Sequence, residues 1–209
     1  MLNEADSDET DQFALLRAYI KRIADTDEGS VCTIQHDGNH QFEAIAIAPA
    51  ATINACSFLR RFVCLDGCHT SSKYHMILLI AVGMDANSNA LPLAWAVVPT
   101  ENEEWWIWFC EFLKSAFDPM QEGGFIFMSD REKGLSSAIS TVFPSAFQAK
   151  CCQHISDNVQ QRYGIKCKPL FWNCVYAKTK NQFQVLYTLL QKNSISLLIK
   201  NHYRMLCLY

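Results

Sequence analysis

Residues 61–86 read RFVCLDGCHTSSKYHMILLIAVGMDA, and this stretch decides the fold. The run Phe62–Asp66 predicts a buried strand that ends at a single carboxylate. The following run, Met76–Met84, is apolar at successive positions, which indicates a strand buried on both faces at the centre of a sheet. An acid at the end of a buried strand indicates either an ordinary Asp-Gly turn or part of a functional site.

The surrounding sequence extends this stretch into a mixed pattern of strands and helices. Leu91–Val98 is predicted to be a third strand, and the short links favour an antiparallel meander. A helix follows, with a predicted capping box at Thr100 and Glu103 and an apolar stripe that includes Trp105 and Phe109. Further strands are predicted at 125–128 and 146–151, and further helices at 132–142, 155–163, 169–178 and 181–192. We expect an α/β fold in which a mixed five-stranded sheet is flanked by helices, with a helical C-terminal extension.

The N-terminal part and the composition set further limits. Residues 1–12 are acidic and are predicted to be disordered, whereas 13–57 would form an incomplete α+β segment with strands at 31–35 and 41–48. Residues 58–165 are the predicted core domain, and 166–209 are the helical C-terminal segment. No secretory leader and no apolar run of about 18 residues is present, so we expect an intracellular protein that does not enter a membrane. The 10 cysteines are expected to be thiols, or metal ligands for a few, rather than a disulfide framework.

Asp66 has a counterpart in Asp130, which follows the predicted strand at 125–128. Functional groups gather at the carboxyl ends of strands in such sheets, so the two carboxylates would converge if their strands are parallel neighbours. Two close carboxylates repel each other unless a cation lies between them. Mg²⁺ binds through one or two carboxylates with water and phosphate oxygens, and two such ions can support displacement at phosphorus. A turn at Asp66 and a helix cap at Asp130 are the structural alternatives.

Longer motifs in the same region carry a family resemblance. The motifs, in order, are LDGCH (65–69), AVGMDANSN (81–89), LPLAWAVV (91–98), ENEEWWIWF (101–109), SDREKGL (129–135), VFP (142–144) and CCQH (151–154). Together they resemble the transposases of Mutator-like elements (MULEs) over about residues 58–190. The same domain occurs in plant transcription factors that derive from such transposases.

The resemblance implies a ribonuclease-H-like fold and an Asp-Asp-Glu metal triad. Asp66 matches the first acid of that triad, and Asp130 matches the second. The implied reaction is Mg²⁺- or Mn²⁺-dependent cleavage and transfer of DNA strands in the nucleus, with transposon ends and target DNA as partners and a homo-oligomer as an open option. His69 matches a family histidine that could orient a ligand or phosphate, although an ordinary loop histidine is equally consistent with its position.

A second metal is suggested by the family's C-x-x-H motif, which Cys151 and His154 match. Two ligands are half of a tetrahedral zinc site. Cys167 or Cys174 could complete it, but no spacing rule selects either. A buried cysteine beside a hydrogen-bonded histidine is the alternative interpretation.

The charge is divided between the two parts of the chain. Residues 1–130 hold 7 Lys and Arg against 19 Asp and Glu, whereas residues 131–209 hold 11 against 2. A basic half is suited to a polyanion such as DNA, although a solvated basic helical surface has the same composition. Arg131, Lys133 and Lys150 are the candidate nucleic-acid contacts, and Arg131 is also a candidate accessory residue of the active site.

The third acid of the triad is the point at which the family pattern stops. The family Glu lies in a stretch resembling T-S-N-x-x-E-S-x-N, which this sequence lacks. After Asp130 the sequence holds only Glu132, which is too close to match, and Asp157, which lies on a predicted helix. We therefore expect a truncated transposase core without the third acid. The alternatives are a domesticated or remnant non-enzymatic protein that binds DNA or regulates transcription, and a metal-dependent nuclease that uses Asp66, Asp130 and Asp157.

Overall fold

The computed structural model describes residues 4–71, 74–130 and 133–192, and these residues form one seven-stranded mixed sheet and eight α-helices. The strands are β1 (Val31–His36), β2 (Phe42–Ala48), β3 (Phe62–His69), β4 (Ile77–Met84), β5 (Ala90–Val98), β6 (Ile126–Ser129) and β7 (Phe147–Lys150). The helices are α1 (Glu4–Thr26), α2 (Ala50–Ala55), α3 (Glu103–Ala116), α4 (Asp118–Gln121), α5 (Lys133–Val142), α6 (Cys152–Tyr163), α7 (Cys167–Val175) and α8 (Lys180–Lys192). The predicted α/β class is therefore confirmed.

The strand that the sequence placed at the centre lies there. The order across the sheet is β1-β2-β5-β4-β3-β6-β7, with β4 in the middle. β4 pairs antiparallel with both β3 and β5, which confirms the predicted meander. At the other edge β6 and β7 are parallel, because Phe147 N–H donates to Phe125 and Cys151 N–H to Ser129 with the same sequence offset.

The predicted number of five strands is wrong, because the sheet has seven. The additional two are β1 and β2, which the sequence predicted as strands but assigned to a separate segment. Ile45, Ala46 and Ile47 of β2 pair with β5, so the hairpin extends the same sheet. The alanines at alternate positions of β2 are fully buried and let the core approach the strand closely. Periodicity identifies a strand, but it does not identify the neighbour with which that strand pairs.

The N-terminal helix is longer than its composition predicts. α1 begins at Glu4, so it includes most of the stretch that was expected to be disordered. The stretch 4–12 contains no Gly or Pro, and its acidic residues lie at the helix N-terminus, where the macrodipole favours negative charge.

Helix α3 supplies much of the core, and its N-cap residue lies two positions later than predicted. The side chain of Asn102, not Thr100, accepts the N–H of Trp105 at 3.0 Å, and the helix begins at Glu103. The predicted stripe is buried, and Trp106 beside it is buried as well.

The described chain divides into two compact units. The sheet unit comprises residues 4–127 and 133–147, and the helical unit comprises 128–130 and 148–192. In contrast to the predicted division, nothing separates residues 13–57 from the core, and residues 148–165 group with the C-terminal helices. Each unit has its own hydrophobic core, formed around α3 in the sheet unit and around α6–α8 in the helical unit.

We expected the cysteines to be thiols, and eight of the nine cysteines in the described residues are free thiols. None of the helices in the described residues is long and apolar enough to cross a membrane.

Candidate metal-binding and DNA-binding residues

Asp66 lies within a strand, not at its end as predicted. β3 continues past it, because Gly67, Cys68 and His69 still pair with β4, and Asp66 itself is opposite Ile80. The Asp-Gly pair therefore forms no turn, and the hydrogen bond from Gly67 N–H to Asp66 Oδ1 is made within extended backbone. The carboxylate is exposed although Leu65 before it is buried, so Asp66 is an acid presented to solvent by a strand whose first part is in the core.

His69 ends β3 and is exposed. Because successive side chains of a strand point to opposite faces, residues three positions apart also lie on opposite faces. His69 therefore projects from the face opposite Asp66, which does not favour a shared role at one ligand.

Glu101 is an acid near Asp66 that the sequence analysis did not single out. A Cβ atom built on Gly67 would lie 2.8 Å from Glu101 Oε1 and 3.1 Å from Oε2, so this carboxylate covers the glycine directly. It lies on the face of β3 opposite the Asp66 side chain. Glu101 lies in the ENEEWWIWF motif, but the sequence indicates for that motif only a family resemblance and the start of a helix.

Asp130 follows β6 directly, as predicted, and is half-buried. Its backbone is held from two sides within the helical unit. Lys150 Nζ donates to the Asp130 carbonyl oxygen at 3.2 Å and to Ser129 Oγ at 3.4 Å. The N–H of Cys151 donates to the Ser129 carbonyl oxygen at 2.8 Å, and Ser129 is buried. The position of Asp130 is thus fixed by β7 and by the residue that follows it.

The predicted nucleic-acid contacts have different outcomes. Arg131 lies outside the described residues. Lys133 begins α5, and its side chain is likewise outside the description. Lys150 is half-buried and directs its ammonium group to the Asp130 backbone, so it has an intramolecular role that the sequence did not indicate.

Cys151 and His154 occupy the start of α6. Cys151 is the N-cap residue and His154 lies three positions later, which places both side chains near the first turn. The Nδ1 atom of His154 is buried and has no hydrogen-bond partner among the described residues. A buried nitrogen without a hydrogen-bond partner destabilises the folded state. Coordination of a metal ion is one interaction that would remove this cost.

The two cysteines considered as further zinc ligands do not complete such a site. Cys167 and Cys174 are buried in the hydrophobic core of α6–α8. The Cys167 thiol donates to the Tyr163 carbonyl oxygen at 3.4 Å. Burial raises the pKa of Cys174 to about 11, so this thiol is protonated in the hydrophobic core. Among the described residues, no third His, Cys, Asp or Glu side chain is grouped with Cys151 and His154 as a metal site would require.

Asp157 is engaged in a local network. Lys168 Nζ lies 2.8 Å from Asp157 Oδ1, and Gln153 Nε2 donates to both carboxylate oxygens. The hydrogen bond from Lys168 and then that from Gln153 lower the pKa of this exposed carboxyl. The nuclease hypothesis needs Asp157 beside the two other aspartates. Among the residues that the structure describes, however, no three His, Cys, Asp or Glu side chains are grouped as a metal site requires.

The comparison with protein families identifies the class of the domain. Residues 62–158 match the family model of the MULE transposase domain. This stretch therefore resembles a transposase domain, and that class of domain interacts with DNA. Within the class, it matches the family of Mutator-like elements, which confirms the resemblance that the motifs indicated. No curated protein matches the sequence.

Proposed function

We propose that residues 62–158 are the catalytic core of a Mutator-like DNA transposase, with Asp66 and Asp130 as its first two metal-binding acids. The observation that carries this proposal is the match to the MULE transposase domain, which spans both aspartates. The order of the sheet supports it, because β3 and β6 are neighbours. A ribonuclease-H-like topology with an antiparallel meander followed by parallel strands is consistent with the same order.

The residues fit a hard divalent cation in their chemistry. Asp66 is exposed, and Asp130 is held at the end of β6 by backbone bonds, so a metal ion would meet a carboxylate on a fixed backbone. Mg²⁺ or Mn²⁺, when bound, supplies Lewis-acid stabilisation of charge at a phosphoryl group. Asp66 and Asp130 would each supply a carboxylate ligand to the cation, and the bond from Lys150 would keep the Asp130 backbone in place.

Several finer features belong to the same proposal. We infer a nuclear site of action, transposon ends and target DNA as substrates, and assembly as a homo-oligomer from the function of the family. A zinc ion at Cys151 and His154 is supported by the orphaned Nδ1 atom of His154, although the described residues do not complete its coordination. We derive no step of the reaction through zinc.

In the part of the chain that the structure describes, the lack of a third acid grouped with Asp66 and Asp130 favours a second, non-enzymatic function. Strand transfer by this family needs a third carboxylate, and Asp157 is bound to Lys168 and Gln153. We therefore also propose, as the alternative, a non-enzymatic protein derived from a transposase that binds DNA or regulates transcription. The two functions differ in one property, namely whether Asp66 and Asp130 bind a divalent metal.

Isothermal titration calorimetry with Mg²⁺ and Mn²⁺ tests the catalytic proposal. We expect the wild-type chain to bind, and we expect Asp66→Asn and Asp130→Asn each to lower the affinity about tenfold or more, because each removes one anionic ligand. Asp118→Asn is the matched control, since Asp118 is an exposed carboxylate outside the proposed site. Absence of binding, or binding that is indifferent to both site substitutions, would overturn the catalytic proposal and favour the non-enzymatic one. Circular dichroism of each variant verifies that the fold is retained.

A further inference from the structure

The helical unit is strongly basic. Its described residues contain seven Lys and Arg against two acids, Asp130 and Asp157. One of those acids, Asp157, is already neutralised by its ion pair with Lys168. A compact body with this excess of positive charge has a surface potential that attracts polyanions.

Four of these cations are exposed and available for binding. Arg162, Lys166, Lys178 and Lys180 are all exposed, and none of the four forms an ion pair with another residue that the structure describes. The guanidinium group of Arg162 lies 5.6 Å from the centroid of the Tyr163 ring, and this contact holds it against the end of α6.

The four cations occupy the two turns that flank α7. Arg162 and Lys166 precede this helix, and Lys178 and Lys180 follow it. α7 has 9 residues, so at 1.5 Å per residue the two pairs are separated along the helix by roughly 13 Å. A duplex rises 3.4 Å per base pair, so this span corresponds to about four base pairs of the phosphate backbone.

The positions of these lysines are unfavourable for the helices themselves. α7 and α8 have no acidic residue in the first turn, where Lys166, Lys168 and Lys180 lie instead. Positive charge at a helix N-terminus opposes the macrodipole and costs some helix stability, unless an anion is nearby. α3 in the sheet unit has the opposite and favourable pattern, with Glu103 and Glu104 in its first turn. The positive charge of Lys166, Lys168 and Lys180 therefore does not benefit the helices that begin there, whereas Arg162 in the last turn of α6 has a favourable position.

We propose that the two turns flanking α7 bind the phosphate backbone of duplex DNA without reading its sequence. DNA is the partner because this polyanion is the one on which a transposase domain acts, and the repeated charge of a duplex matches cations at both ends of the helix. The inference rests on DNA as the partner in the proposed function, but it does not depend on metal binding or on cleavage. It gives the helical unit the role of holding DNA through Arg162, Lys166, Lys178 and Lys180.

The test is fluorescence anisotropy of the full chain with a labelled duplex of arbitrary sequence, in EDTA, at salt concentrations from about 50 to 200 mM. We expect Arg162→Gln/Lys166→Gln and Lys178→Gln/Lys180→Gln each to weaken binding about tenfold at the lowest salt. Each double variant removes two phosphate contacts, so the slope of log affinity against log salt should fall by roughly 1.8. Lys21→Gln/Arg22→Gln is the matched control, because it removes two exposed cations of α1 in the sheet unit.

Three results would overturn the proposal: no effect of either pair, an equal effect of the control pair, or binding to anionic lipid vesicles but not to duplex DNA. Asp66→Asn separates this inference from the proposed catalytic function. If that variant binds DNA normally while the wild-type chain binds no metal, the DNA surface is retained and the catalytic proposal fails. If metal binds but the four cations have no effect on DNA affinity, the DNA surface fails and the catalytic proposal is retained.

Discussion

Two glycines in the sheet unit permit close contacts of different kinds. A Cβ atom at Gly67 would meet the carboxylate of Glu101 at 2.8 Å, which is the flexible end of a long side chain. A Cβ atom at Gly134 would meet the backbone nitrogen of Glu103 at 2.8 Å, where α5 lies against the start of α3. An added methyl group should therefore be tolerated at Gly67, because the Glu101 side chain can rotate away. The same group should be destabilising at Gly134, because the packed backbone of α3 cannot move.

We predict that Gly134→Ala lowers the free energy of unfolding by about 1–2 kcal/mol, although alanine favours a helix by about 1 kcal/mol over glycine. Gly67→Ala should change it by less than about 1 kcal/mol, because Glu101 moves aside. Urea denaturation of both variants measures the difference. Adding Glu101→Ala gives a double-mutant cycle in which Gly67→Ala becomes neutral or stabilising. Equal costs for the two glycine substitutions would contradict the contact geometry.

At the scale of single residues, the sequence predicts which side chains are candidates for a functional site, but not the contacts that these side chains make in the fold. Asp66 and Asp130 were found from their positions after apolar runs, and both lie within the matched transposase domain. The bond from Lys150 to the Asp130 backbone and the contact of Glu101 with Gly67 were not predictable. Both are contacts between residues far apart in the chain, which no local pattern records.

At the scale of elements, hydrophobic period located nearly every strand and helix. β4 and β5 begin and end within one residue of their predicted bounds, because the turn cluster DANSN separates two apolar runs of strand length. β3 is the exception, since Asp-Gly resembles a turn and the strand continues for three more residues. Pairing with β4 outweighs the local preference of these residues, as tertiary context often does.

Helices α6 and α7 are joined by the ion pair of Asp157 and Lys168, and this pair makes stability depend on pH. The hydrogen bond from Lys168 lowers the pKa of Asp157 in the folded chain. Stabilisation is therefore complete above the unfolded pKa of about 3.9 and is lost as the pH falls through the folded value. We predict that Asp157→Asn is less stable than the wild type at pH 7, and that the difference shrinks as the pH falls below the unfolded value of about 3.9.

Urea titrations at pH 7, 5 and 3 measure this difference, and added salt should reduce it at pH 7 because both groups are partly exposed. Lys168→Met should reproduce the pH dependence of Asp157→Asn. Lys166→Met is the control, since Lys166 forms no ion pair with another described residue. A stability difference that persists unchanged at pH 3 would show that packing, and not the ion pair, joins the two helices.

At the scale of the whole molecule, the two units differ in charge and in the origin of their cores. The sheet unit buries side chains from strands and from α3, whereas the helical unit buries one face of each of three helices. The sequence showed the division of charge, whereas the boundary between the two units lies at other positions than the predicted domain bounds. The reason is physical: the boundary falls within β6 and β7, and a strand that contributes to two units has the same periodicity as one that contributes to a single unit.

Because each unit has its own hydrophobic core, we predict that a core substitution in one unit increases local unfolding in that unit only. Phe171 is fully buried in the helical unit and Phe109 in the sheet unit, so Phe171→Ala and Phe109→Ala are matched substitutions that each cost about 3–5 kcal/mol of local packing. Amide hydrogen exchange read by mass spectrometry should accelerate at 152–190 in Phe171→Ala, and at 77–98 in Phe109→Ala. Each variant should leave the other unit at the wild-type rate, because a lost contact raises opening only in the cooperative unit that contains it. If either substitution accelerates exchange in both ranges equally, the chain unfolds as one cooperative body and the helices α6–α8 cannot open independently of the sheet.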